Sequence, residues 1–180
     1  FIVSDHGQLN IRRAVALNAL LAENGLIDVD ENGQIRDFTA FAKSGGLSAC
    51  VYLKHPENEE DRKRTGEVLK KLAESEVYGI SEVFTEEEAR TKHRLGGDFA
   101  FVVETDGYTT FSNEWQRPLI RSLDIHNYRF GRATHGHLPE KGPQPTLISF
   151  GPHMQPGAVI PDARLVDEAP TFAHALGIEM

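Results

Sequence analysis

Phe1-Ile2-Val3-Ser4-Asp5-His6-Gly7 decides the fold. Three apolar residues, two of them β-branched, read as a strand already in progress, and the polar residues that follow end it at a glycine. Asp5 and His6 are both metal-competent, and they stand at the carboxyl end of a strand, where open α/β sheets place their ligands. Neighbours on a strand point to opposite faces, so both side chains reach one ion only if the backbone turns there. Gly7 makes such a turn inexpensive. The competing reading is a polar loop with Asp5 as a cap.

Downstream, strand and helix patterns alternate. Ile11, Val15, Leu17, Leu20 and Leu21 keep a helical spacing, with Asn10 as N-cap and Gly25 as stop. Asn32-Gly33 marks a turn. Leu47, Ala49, Val51 and Leu53 alternate with Ser48, Cys50 and Tyr52 at the strand period. Asn58 opens a charged helix with Val68, Leu69 and Leu72 on its inner face. Val77 to Phe84 forms a short strand leading into Thr85-Glu86-Glu87-Glu88, a capping box. That helix ends at Gly96-Gly97, and Asp98 to Thr105 with Tyr108 to Phe111 reads as a hairpin closed by Asp106-Gly107. Ser112 to Gly142 loses regular periodicity, Thr146 to Phe150 returns as a strand, and Asp167 to Gly177 closes as a capped helix. The expected class is α/β, with a small antiparallel hairpin element.

Composition narrows the function classes. The 180 residues carry 27 acidic against 19 basic side chains, a formal net charge of −8, which opposes a grip on nucleic acid or an anionic membrane. A single cysteine, Cys50, rules out an intrachain disulfide framework and thiolate-only clusters, so a metal would be held by imidazole and carboxylate. No apolar run approaches the roughly 20 residues of a membrane helix. Phosphate-cradling glycine loops and a G-x-S-x-G elbow are also missing.

The second candidate locus is His135-Gly136-His137, two imidazoles on one side of an extended segment. Imidazole suits zinc, manganese or iron. Alone, an H-G-H stretch reads as a histidine-rich surface loop. Combined with Asp5 and His6 it reads as part of a site for a divalent cation. His153, at the end of a strand, stands alone, and His55, His93, His126 and His174 lack partners at metal spacing. Lys141 and Arg164 read as surface charges rather than phosphate contacts, and the acidic runs Glu57 to Asp61 and Glu86 to Glu88 as first turns of helices.

In order along the chain, Phe1 to Gly7, Thr134-His135-Gly136-His137-Leu138-Pro139, Phe150-Gly151-Pro152, Val166-Asp167-Glu168-Ala169-Pro170-Thr171 and Leu176-Gly177-Ile178 resemble the landmarks of the type I phosphodiesterase/nucleotide pyrophosphatase family, within the alkaline phosphatase superfamily. The resemblance implies an alkaline-phosphatase-like mixed sheet flanked by helices. It implies that Asp5 and His6 bind one divalent metal ion and His135 a second, the ions being zinc or manganese. His137 falls where many relatives carry tyrosine, so the resemblance carries no ligand role over to it. The remaining ligands and the Thr or Ser nucleophile precede the D-H-G strand in the family. The chain, residues 1–180, is therefore expected to be the carboxyl-terminal part of one catalytic domain, with 25–130 as a variable cap or insertion.

On this reading the partners are a small phosphorylated substrate and the amino-terminal part of the same polypeptide, with a homo-oligomer allowed. The chain alone is expected to be inactive. The alternative function is a non-catalytic α/β interaction module that keeps the fold without the chemistry. Substrate identity, compartment and choice of metal are not readable from these residues.

Overall fold

The structure, a computed structural model, describes the chain except residues 125, 127–130, 153, 162 and 180. His153 lies outside the described residues. The chain divides into two compact units, Phe1–Gly7 with Pro143–Met180, and Gln8–Gly142. The architecture is mixed α/β, with four α-helices and several small sheets among the described residues, the class the sequence predicts.

In the first unit, β1 (Ile2–Val3) pairs antiparallel with β13 (Leu147–Ile148), aligning Ile2 with Ile148. The Ser4 amide donates to the Thr146 carbonyl at 2.9 Å, and Ser4 Oγ accepts the Thr146 amide at 2.9 Å. Helix α4 (Glu168–Leu176) follows a 3-10 turn and ends at Gly177 in the left-handed region, as its sequence requires. Phe172 of α4 packs on Phe1, ring centroids 4.6 Å apart. The ribbon is not the buried strand that its apolar run suggests: Ile2 is 57% exposed, and Phe1, Val3 and Ile148 are exposed as well. Two strands alone cannot cover both of their faces.

The second unit is built around a four-stranded antiparallel sheet in the order β6 (Ala40–Ser44), β7 (Ser48–Leu53), β9 (Phe101–Thr105), β8 (Ile80–Thr85). Alternation assigns its two faces. Ala49, Val51, Phe101 and Val103 enter the main core beneath α1 (Leu17–Glu23) and α2 (Glu59–Glu74), while Cys50, Tyr52, Phe84 and Val102 form a smaller apolar cluster on the other face. Ile80 and Val83 both pack on the main core although three residues apart, because the register shifts between Ile80 and Glu82. Helix α2 has Thr65, Leu69 and Leu72 buried and Val68 partly buried against the core, the spacing of one helical face, and Asn58 caps it by accepting the amides of Glu60 and Asp61.

Two expectations fail in this unit. The helix expected from Asn10 begins only at Leu17: Leu9–Asn10 is β2, and Arg13–Ala16 is β3, the central strand between β10 (Thr109–Ser112) and β11 (Ile120–Ser122). Ile11 and Val15 fit a helical spacing, but pairing on both sides of β3 outweighs that weak local signal. The expected hairpin is also absent. Asp106-Gly107 does turn, with Gly107 at φ 85°, yet β9 pairs with β7 and β8 while β10 leaves for a parallel partner in β3. Asp106 redirects the chain by accepting the amides of Tyr108 and Thr109.

A hairpin does form where Asn32-Gly33 predicts a turn, joining β4 (Ile27–Val29) to β5 (Ile35–Phe38), with Gly33 at φ 75°. Asn18 of α1 secures the sheet edge. It is fully buried, accepts the Ala42 amide at 2.7 Å and donates to the Ala42 carbonyl at 2.9 Å, standing in for a neighbouring strand.

Candidate functional site

Asp5 and His6 lie in the first unit, just after β1. His6 Nε2 stands 3.3 Å from Asp5 Oδ2, and His6 Nδ1 is 3.1 Å from the Gly7 carbonyl. In the tautomer protonated at Nδ1, the ring donates to that carbonyl and turns the Nε2 lone pair toward the carboxylate. Two ligands at about 2.0–2.1 Å from one tetrahedral ion stand about 3.3–3.4 Å apart, so this oxygen–nitrogen pair has the spacing of two ligands of one cation. The backbone turn that brings them together needs glycine next to it. A Cβ on Gly7 would collide with the Pro143 carbonyl oxygen.

His135 belongs to the second unit. It follows β12 (Ala133–Thr134), which pairs antiparallel with β2, and its own carbonyl accepts the Leu47 amide at 2.8 Å. Gly46 and Gly136 allow this crossing. Both have positive φ, 99° and 90°, and a Cβ on Gly136 would strike the Gly45 carbonyl oxygen. The His135 side chain is exposed. His137 is turned differently: its Nδ1 is shut off from solvent and meets no hydrogen-bond partner among the described residues.

The loop after His137 is anchored by residues that sequence reading missed. The Leu138 amide donates to Glu104 Oε1 at 2.6 Å, and Lys141 Nζ lies 3.1 Å from Glu104 Oε2, 2.9 Å from Glu82 Oε1 and 3.0 Å from Ser81 Oγ. Glu104 is only 2% exposed. Burial alone would push the Lys141 ammonium down, but its hydrogen bonds to Glu82 and Glu104 outweigh burial and hold it above its ordinary range. Lys141 is therefore not the surface charge it was expected to be. The available signal was Glu104 itself, a carboxylate within the apolar run Phe101-Val102-Val103, which has to find a partner when the strand is buried. Arg164 does behave as a surface charge, paired with Asp167 at 3.0 Å.

Cys50 sits on the second face of the sheet, where burial pushes its thiol up and disfavours the thiolate. Among the described residues, neither unit gathers three or more His, Cys, Asp or Glu side chains into a metal-holding group. No helix among them is long and apolar enough to cross a membrane.

The chain is mixed α/β, with an acid–imidazole pair after β1 in one unit and an imidazole after β12 in the other. The model of the family described as type I phosphodiesterase / nucleotide pyrophosphatase matches residues 1–137 of the 180, and the chain belongs to that family of phosphate-ester hydrolases. No curated protein matches it.

Proposed function

We propose that this chain is the carboxyl-terminal portion of a hydrolase of phosphate esters that depends on two divalent metal ions, zinc or manganese. Asp5 and His6 would hold one ion and His135 the other. The observation that carries the reading is the family match, whose span includes all three residues. The spacing of Asp5 and His6 supports it. The ions would supply charge neutralisation and Lewis acidity to a transferring phosphoryl group.

The chain's own residues would orient the ligands. The Gly7 carbonyl fixes the tautomer of His6, Asp5 brings negative charge to its Nε2 side, and the Leu47 amide fixes the backbone of His135. By the chain's likeness to the family, the nucleophile is assigned to a Thr or Ser preceding the D-H-G strand; burial disfavours the thiolate of Cys50. The exposed faces of the β1–β13 ribbon fit the same reading, because further strands of a larger sheet would bury Ile2 and Ile148. The variable cap or insertion is assigned to 25–130, a span that lies inside the unit Gln8–Gly142.

The test is hydrolysis of p-nitrophenyl phosphate and bis-p-nitrophenyl phosphate by the polypeptide extended upstream of Phe1, with and without zinc or manganese. The reading predicts metal-dependent turnover that His135→Ala reduces by at least about a hundredfold, the scale of a lost ligand. Full activity of His135→Ala would exclude it as a ligand. The 180 residues alone are predicted to show no turnover.

A further inference from the structure

Within the Gln8–Gly142 unit, the second face of the four-stranded sheet is incompletely covered. Phe84 and Val102 floor a cavity of about 490 Å³ there, with Ala89 and His93 of α3 (Glu86–His93) on one side and Leu138 on the other. The volume lies in the range of small-molecule sites, and the floor is the apolar cluster of that face. Its charges are unevenly committed. Lys92 is held by Glu88 at 2.9 Å, and Glu104 is neutralised by Lys141 at 3.1 Å, while Glu140 is exposed to screening solvent. Arg94 on the wall is exposed as Glu140 is, and its guanidinium makes no hydrogen bond or ion pair among the described residues. It also adopts φ 55°, a left-handed conformation that glycine would take at lower cost.

We infer that this cavity binds an apolar ring-bearing group with an anionic substituent, the ring lying on Phe84, Val102 and Leu138 and the anion meeting Arg94. Gly136 and His137, the residues next to His135, also line it. The bound group is therefore the organic part of the phosphoester. That last assignment rests on the hydrolase reading above, whereas binding itself does not.

The experiment uses the 180-residue chain and two probes that carry no phosphoester, naphthalene-2-sulfonate and naphthalene-2-methanol, followed by amide chemical shifts. Saturable shifts at Ala89, Val102 and Leu138 are expected, with the sulfonate bound about threefold more tightly, the scale of one exposed ion pair. Arg94→Gly removes the cation at a position where glycine is at ease. It should fold at least as stably and lose that preference while keeping its affinity for the alcohol.

Absence of saturable binding, shifts confined to the exposed Phe1–Val3 ribbon, or an undiminished preference in Arg94→Gly would each overturn the proposal. Probe binding at the cavity, together with an upstream-extended polypeptide that hydrolyses no phosphoester, upholds the cavity and strikes only the hydrolase reading.

Discussion

Lys141 separates two carboxylates that the strand register sets directly opposite each other. Glu82 on β8 aligns with Glu104 on β9, and the Lys141 ammonium reaches them at 2.9 and 3.1 Å. Like charges across a strand pair repel, so this side chain from a distant loop is part of the sheet's stability. Removing one partner of a buried pair costs about 3–5 kcal/mol; Lys141 keeps partial exposure, which lowers the expectation for Lys141→Met to about 2–3 kcal/mol. Urea unfolding at pH 7 measures it.

The same cluster sets an alkaline limit. Lys141 is held above its ordinary value of 10.5, so its contribution is fully present below that pH and is lost as pH rises through the higher folded value. Urea midpoints measured from pH 9 upward should fall in the wild type beyond what Lys141→Met shows. Parallel curves would contradict the assignment.

An acid counterpart lies in the capping box of α3. The Thr85 amide, and then Lys92, hold the Glu88 carboxyl down at about 2 instead of 4.5. A depressed carboxylate stabilises above its unfolded value, so this support is complete above about pH 4.5 and disappears as pH falls toward 2. NMR titration of Glu88 reads this directly. Thr85→Ala should cost about 1 kcal/mol and raise the Glu88 value.

Thr65 offers a gain. Its hydroxyl is buried on the inner face of α2 and has no hydrogen-bond partner among the described residues. Thr65→Val keeps shape and branching while removing the stranded polar atom, and is expected to raise stability by about 1 kcal/mol in thermal or urea unfolding. A loss of stability would show that the hydroxyl is satisfied in solution.

Gly136→Ala tests the crossing that carries His135. A methyl group there meets the Gly45 carbonyl oxygen at a positive φ, so a loss of about 2–4 kcal/mol is expected. The Leu47 amide, which donates to His135, should exchange faster with solvent in the variant. Unchanged protection at Leu47 would mean that the segment adjusts without letting go.

What could be read from residues alone follows the range of the forces involved. Asn58, Thr85 with Glu88, and Gly177 mark helix ends because capping is decided within a few residues, and Leu47 to Leu53 shows its two faces by alternation. The strand at Arg13–Ala16 is hidden from local pattern because its character comes from partners about a hundred residues away, at Thr109–Ser112 and Ile120–Ser122. Asp5 and His6 stand out in the sequence as chemically apt neighbours after a strand, and their polar atoms approach to 3.3 Å. Glu104 and Lys141 were not paired in advance, since 37 positions separate them and only the folded sheet brings them together.

The Gln8–Gly142 unit begins at β2 and comes back beside it at β12, where Leu9 aligns with Thr134 and Asn10 with Ala133. Its two attachment points are thus fastened by its own backbone, and lengthening or shortening anything between them leaves the span at the base unchanged. Ends that lie close together are the ordinary condition for tolerated exchange of a segment, and the β2–β12 ribbon meets it within this unit.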